Sequence, residues 1–128
     1  MKFTIDDVQY DVFVEALSRE AKIKDGKNSS STLSGLYKRD VIGTFYSYKM
    51  DIATNQPNTE QYDRLYEVLT APQNEPHTVT LPYGQSALTF NAYITSVSDE
   101  IKAKREDGTL WGGLSITFEA ERPQRVPK

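Results

Sequence analysis

Apolar and polar residues alternate along most of this chain, and the alternation runs longest in its last third. Leu88, Phe90, Ala92 and Ile94 occupy one phase of a two-residue period, and Leu110, Leu114, Ile116, Phe118 and Ala120 repeat it further on. Side chains two apart share one face of a strand, so residues 88–98 and 109–121 read as a long two-stranded ribbon around Glu106-Asp107-Gly108. Upstream, Phe3–Ile5 and Val8–Tyr10 flank Asp6-Asp7 as a short hairpin, followed by Val12–Ile23 as extended chain. Its alternation is imperfect, with Val12, Val14 and Ala16 on one phase and Phe13 and Leu17 on the other. From Leu36 to Ile52 the pattern returns with Ile42, Tyr46, Tyr48, Met50 and Ile52 in phase, which directs both tyrosines to the core, and Gly43 marks an expected bend or bulge.

The period changes once. Tyr62, Leu65, Tyr66 and Leu69 recur at spacings of three and four, an apolar stripe for a helix that Asn58 or Thr59 caps and that Ala71-Pro72 ends at about Thr70. His77–Leu81 then forms a short strand before a turn at Pro82-Tyr83-Gly84-Gln85. The fold class is mainly β (α+β): an antiparallel β-sandwich or barrel with one helix between strands. Residues 1–122 read as a single domain, and Pro123 and Pro127 leave 123–128 as an irregular tail. One segment has no period at all. Lys24, Asp25, Gly26, Lys27, Asn28, Ser29, Ser30, Ser31, Thr32, Leu33, Ser34 and Gly35 are polar or small almost throughout, and predict a flexible loop rather than an element.

A chain of 128 residues, 38% hydrophobic, suits one domain with one core. The absence of cysteine removes disulfides, thiolate zinc sites and cysteine nucleophiles together. No stretch approaches the ~20 apolar residues of a membrane span, and Met1–Asp7 lacks the apolar run of a signal peptide, so no membrane partner is expected. The net charge of −3 is divided along the chain: residues 19–49 hold seven Lys or Arg against three acids, a balance of +4, and residues 50–100 hold one against seven, a balance of −6. Left on opposite faces, such segments give one copy complementary surfaces for the next.

Candidate chemistry is sparse. His77 is the lone histidine and is expected to be structural or solvent-facing, since one imidazole without partners makes neither a metal site nor a base-assisted nucleophile. The carboxylate pairs Asp6-Asp7, Asp99-Glu100 and Glu106-Asp107 are expected in turns or at strand ends, where solvation accounts for them. Gly112-Gly113 predicts a bulge, or a close approach of another chain beside Trp111. Trp111 and Tyr93 are expected beneath the helix, the alternative being an apolar edge patch. Neither an enzymatic activity nor a cofactor or metal follows from these residues. Tyr37-Lys38-Arg39 and Phe45–Lys49 interleave basic and aromatic side chains, the composition of a stacking platform. This supports an alternative, an OB-like single-stranded nucleic-acid-binding module with contacts at Tyr37, Lys38 and Arg39, although the net acidity opposes backbone binding.

Across residues 59–123, the segments Tyr62-Asp63-Arg64-Leu65-Tyr66-Glu67-Val68-Leu69-Thr70-Ala71-Pro72, His77–Gly84, Leu88–Ser96 and Trp111–Phe118 resemble small tail and baseplate structural proteins of tailed bacteriophages and prophages, with tail-tube proteins among the relatives to consider. The resemblance implies a virion structural protein assembled in the bacterial host cytoplasm. Its implied partners are further copies of itself, in a homo-oligomeric ring, and other phage tail proteins. It implies that residues 24–35 form an inter-subunit arm, and it carries over no catalytic residue.

Overall fold

A computed structural model describes residues 3–26, 30–31, 35–54, 59–105 and 108–127. In chain order the elements are β1 (Thr4–Ile5), β2 (Val8–Gln9), β3 (Phe13–Asp25), β4 (Ser30–Ser31), β5 (Tyr37–Lys38), β6 (Val41–Ala53), α1 (Thr59–Thr70), β7 (His77–Tyr83), β8 (Ser86–Arg105) and β9 (Gly108–Ala120). Among the described residues seven strands form one antiparallel sheet in the order β2-β1-β7-β8-β9-β6-β3, and β4 and β5 pair separately. The mainly-β class with one helix between strands is therefore present. Among the described residues this sheet is single rather than two facing sheets, and no ladder closes it into a barrel.

It curls nevertheless. β6 and β7 are separated by two strands, about 14 Å in a flat sheet at the usual strand spacing. Yet the Tyr48 hydroxyl donates to the Pro82 carbonyl at 3.0 Å, and the Tyr46 and Tyr83 hydroxyls lie 3.0 Å apart. The concave face so formed is the apolar phase read from the sequence: Tyr46, Tyr48, Met50 and Ile52 of β6, Leu114, Ile116 and Phe118 of β9, and Val79 and Leu81 of β7 are all buried. α1 lays Tyr62, Leu65 and Leu69 onto this cluster. Tyr66, expected in the same stripe, is 37% exposed, because the three buried residues already span the contact.

Several departures from the expected pattern share one cause, register shifts that exchange inward and outward positions. In β3 the pairing steps from Val14↔Ile52 to Ala16↔Asp51, so Glu15 is bulged. Val14 and Leu17 then share the core-facing side, rather than Val14 and Ala16. Opposite Lys24 and Asp25 the ladder skips Ile42 beside Gly43, the bulge that the glycine predicted. A Cβ at Gly43 would lie 2.5 Å from the Arg125 carbonyl and from Pro123, so the glycine also admits the C-terminal segment. That segment is docked rather than loose. Thr44 N–H donates to Arg125 O at 2.8 Å, Gln124 N–H to Thr44 O at 3.0 Å, and Tyr46 N–H to the Gln124 side chain at 3.2 Å. It thereby covers the part of β6 that lies beyond its Ser47–Ile52 pairing with β9.

The loop expected at 24–35 is partly strand: Lys24 and Asp25 finish β3, and Ser30 and Ser31 pair with Lys38 and Tyr37. Lys27, Asn28, Ser29, Thr32, Leu33 and Ser34 lie outside the described residues, as do Asn58, one of the two candidate helix caps, and the Glu106-Asp107 turn. β7 runs through Pro82 and Tyr83, leaving Gly84-Gln85 as a two-residue turn with Gly84 at φ +58°.

Candidate functional site

A concavity of about 340 Å³ lies between α1 and the ribbon of β8 and β9. The 3.6-residue period sets Tyr62 and Tyr66 one turn apart on α1, with Asp63 and Glu67 beside them, and these four face Asp99 of β8 and Trp111 of β9. Asp99 reaches the helix through a register shift between Ser98 and Glu100, which the 20-residue length of β8 hides in the sequence. It is thus mid-strand, not at a strand end as expected. The Tyr62 hydroxyl donates to Asp99 Oδ2 at 2.9 Å. Burial raises the Tyr62 pKa, and the hydrogen bond and negative charge of Asp99 raise it further. Among the described residues none of Asp63, Glu67 and Asp99 has an ion-pair partner. Three carboxylates without an ion-pair partner make the groove electronegative, and the exposed rings of Tyr66 and Trp111 are available to a cationic side chain.

Trp111 and Tyr93 are 39% and 41% exposed, so neither lies beneath the helix. They do not form one patch either. Trp111 pairs across the ribbon with Ile101, itself 46% exposed, whereas Tyr93 pairs with Glu119 eight residues back along β8, about 25 Å away. Gly113 adopts φ +61° at the predicted bulge, and the close neighbours of the glycine pair are the Lys102 and Glu100 side chains of the same chain.

His77 is buried and hydrogen-bonded rather than solvent-facing. It is 5% exposed and its Nδ1 lies 2.7 Å from Asp6 Oδ2, while Asp6 Oδ1 accepts from Thr78 N–H at 3.0 Å. Asp6 and Asp7 sit at φ 53° and 65°, the tight-turn conformation expected of that pair. Burial alone would raise the Asp6 pKa; the hydrogen bonds from His77 and Thr78 outweigh it and leave the carboxyl below its ordinary value. Nothing in the spacing of residues 6 and 77 signals this pair, which depends on β1 pairing with β7.

Among the remaining candidates, Arg39 Nε is bonded to Asp25 Oδ1 at 2.5 Å, which ties the end of β3 to the chain entering β6. Lys24 Nζ lies 4.4 Å from the Phe45 ring centroid. The aromatic run that suggested stacking is largely inward: Tyr46 is 8% and Tyr48 1% exposed, the burial that their phase predicts. Tyr37 and Lys38 are placed here only by the β4–β5 pairing. Among the described residues no group of three His, Cys, Asp or Glu side chains is arranged to hold a metal ion. Compared with known proteins, the chain matches no family model, and no curated protein matches its sequence.

Proposed function

We propose that this protein is a structural component of a phage or prophage tail or baseplate, acting by self-assembly or by docking onto other tail proteins. The observation that carries the assembly part is the open sheet: β3 ends it with a 13-residue edge that no other described strand pairs with. Such an edge presents a row of backbone donors and acceptors suited to another chain. Phe13, Ile23, Ile101 and Trp111, exposed by 39% to 62% on strands that run past the core, add apolar surface in the same sense. The tail setting rests on the resemblance of residues 59–123, whose quoted segments supply α1, β7 and the ribbon.

Light scattering behind size exclusion, over a concentration series and with negative-stain images of each peak, tests the reading. Rings, tubes or a defined oligomer are expected. A strict monomer at every concentration overturns self-assembly and leaves only docking onto a different protein.

A further inference from the structure

The sheet has more than one unpaired edge, and they are not equivalent. β2, at one end, is two residues long. The outer edge of β8 beyond Ala92 belongs to a ribbon interrupted by three register shifts, and each bulge twists a ladder away from flat pairing. β3 differs: from Ala16 to Lys24 its ladder with β6 runs without a shift, so its outer edge offers nine consecutive regular residues. Glu20 and Lys22 project there with side chains 65% and 56% exposed, and Ala21 and Ile23 are also exposed.

We propose that the β3 edge pairs antiparallel with the β3 edge of a second copy, about a twofold axis at Ala21. This rests on the self-assembly reading and names its surface and partner. A twofold axis normal to the sheet keeps each face on its own side, so opposed residues share parity and the axis passes through a residue. The charges then select the residue. Axes through Arg19, Glu20, Lys22 or Lys24 set identical charges against each other. An axis through Ile23 opposes Lys22 to Lys24, and one through Ser18 opposes Leu17 to Arg19 and Ala16 to Glu20. The axis through Ala21 alone sets Glu20 against Lys22 of the second copy, twice by symmetry, with Ser18 facing Lys24 and Arg19 facing Ile23. The small Ala21 side chains meet at the centre.

The register makes a reciprocal test possible. In Glu20→Lys the opposed pairs become Lys–Lys, and in Lys22→Glu they become Glu–Glu, so each variant alone should self-associate about tenfold more weakly than the parent chain. Mixed one to one, the two variants oppose Lys to Glu at both positions and should form a heterodimer of parental affinity. Both substitutions are on an exposed strand face and leave the core untouched. Because the chain has no cysteine, Ala21→Cys introduces a single thiol, which the axis brings within reach of its own copy, about 4.5–5.5 Å between Cβ atoms. Under mild oxidant it should cross-link at least about tenfold faster than Arg64→Cys on the exposed side of α1. Unchanged association of either single variant, no recovery on mixing, or cross-linking of Ala21→Cys no faster than the control overturns the proposal. If the parent chain assembles while these results fail, the edge assignment falls and self-assembly stands; if the parent is monomeric throughout, both fall.

Discussion

Replacing Tyr62 with Phe isolates a hydrogen bond that ties α1 to the ribbon. Tyr62 is 2% exposed, so the ring stays packed and only the hydroxyl, 2.9 Å from Asp99 Oδ2, is lost. A hydrogen bond to a charged group contributes about 1.5–3 kcal/mol when buried, and Asp99 is half-buried, so a loss of about 1–2 kcal/mol at pH 7 is expected. The loss depends on pH in a definite direction. The folded Tyr62 pKa is raised, chiefly by burial and then by Asp99. Above about pH 10 the unfolded chain releases this proton while the folded chain keeps it, and the parent protein loses about 1.4 kcal/mol per pH unit through Tyr62. The Phe variant has no such proton. Tyr10 and Tyr48, whose pKa values burial also raises, titrate in both proteins and cancel in the difference. Urea unfolding at pH 7, 9 and 11 should therefore show a gap that is constant to pH 9 and nearly closed by pH 11. A gap that stays constant to pH 11 refutes the assignment of Tyr62 as a buried donor to Asp99.

Three further perturbations address other parts of the fold. Ile116→Ala, at a position with no exposure in the centre of β9, should cost about 2–5 kcal/mol in urea unfolding, through lost burial and the cavity left behind. Gly43→Val should release the C-terminal segment, since its Cβ would meet the Arg125 carbonyl and Pro123; amide exchange at Thr44 and Tyr46 should then quicken while the core amides stay protected. For the Asp6–His77 pair the carboxyl pKa is depressed on folding, so its contribution is present above the unfolded value of about 4 and is lost as pH falls through the lower folded value. Asp6→Asn should flatten that acid limb in urea titrations between about pH 5 and pH 2, and His77→Gln should leave any oligomer seen by light scattering intact.

How much of this was legible depends on whether a feature is local. The phase of β6, β9 and the inward half of β8 follows from alternation alone, and the α1 stripe from its 3.6 period, because each element needs only its own residues to declare a face. Register shifts break that rule. The bulge at Glu15 exchanges the faces of β3, and the shift at Asp99 turns a mid-strand carboxylate toward Tyr62, an outcome fixed by the partner strands. The exposure of Trp111 and Ile101 has a related origin. The ribbon outruns the core, so its alternation persists where there is nothing left to cover it. His77 with Asp6, and Thr44 with Arg125, join residues more than 70 positions apart and carry no local signature.

The inequality of the edges constrains any assembly built from this fold. A contact between two β3 edges uses the same surface on both copies, so it closes at two. Extending further requires a second contact of a different kind, and β2 is too short, and the ribbon too interrupted, to supply another regular ladder. What remains on the surface is side-chain chemistry. The groove of Tyr62, Asp63, Tyr66, Glu67, Asp99 and Trp111 is acidic, while the excess positive charge lies in residues 19–49, on β3, β6 and the chain between them. Ladder pairing responds to register and backbone geometry and only weakly to salt; a contact between groove and basic strands would be screened over about 10 Å at 0.1 M ionic strength. Salt titration therefore separates the two. An oligomer that falls to a dimer at high salt, and whose dimer still cross-links through Ala21→Cys, uses both kinds of contact. One that falls straight to monomer with salt alone does not use the β3 ladder as its stable unit.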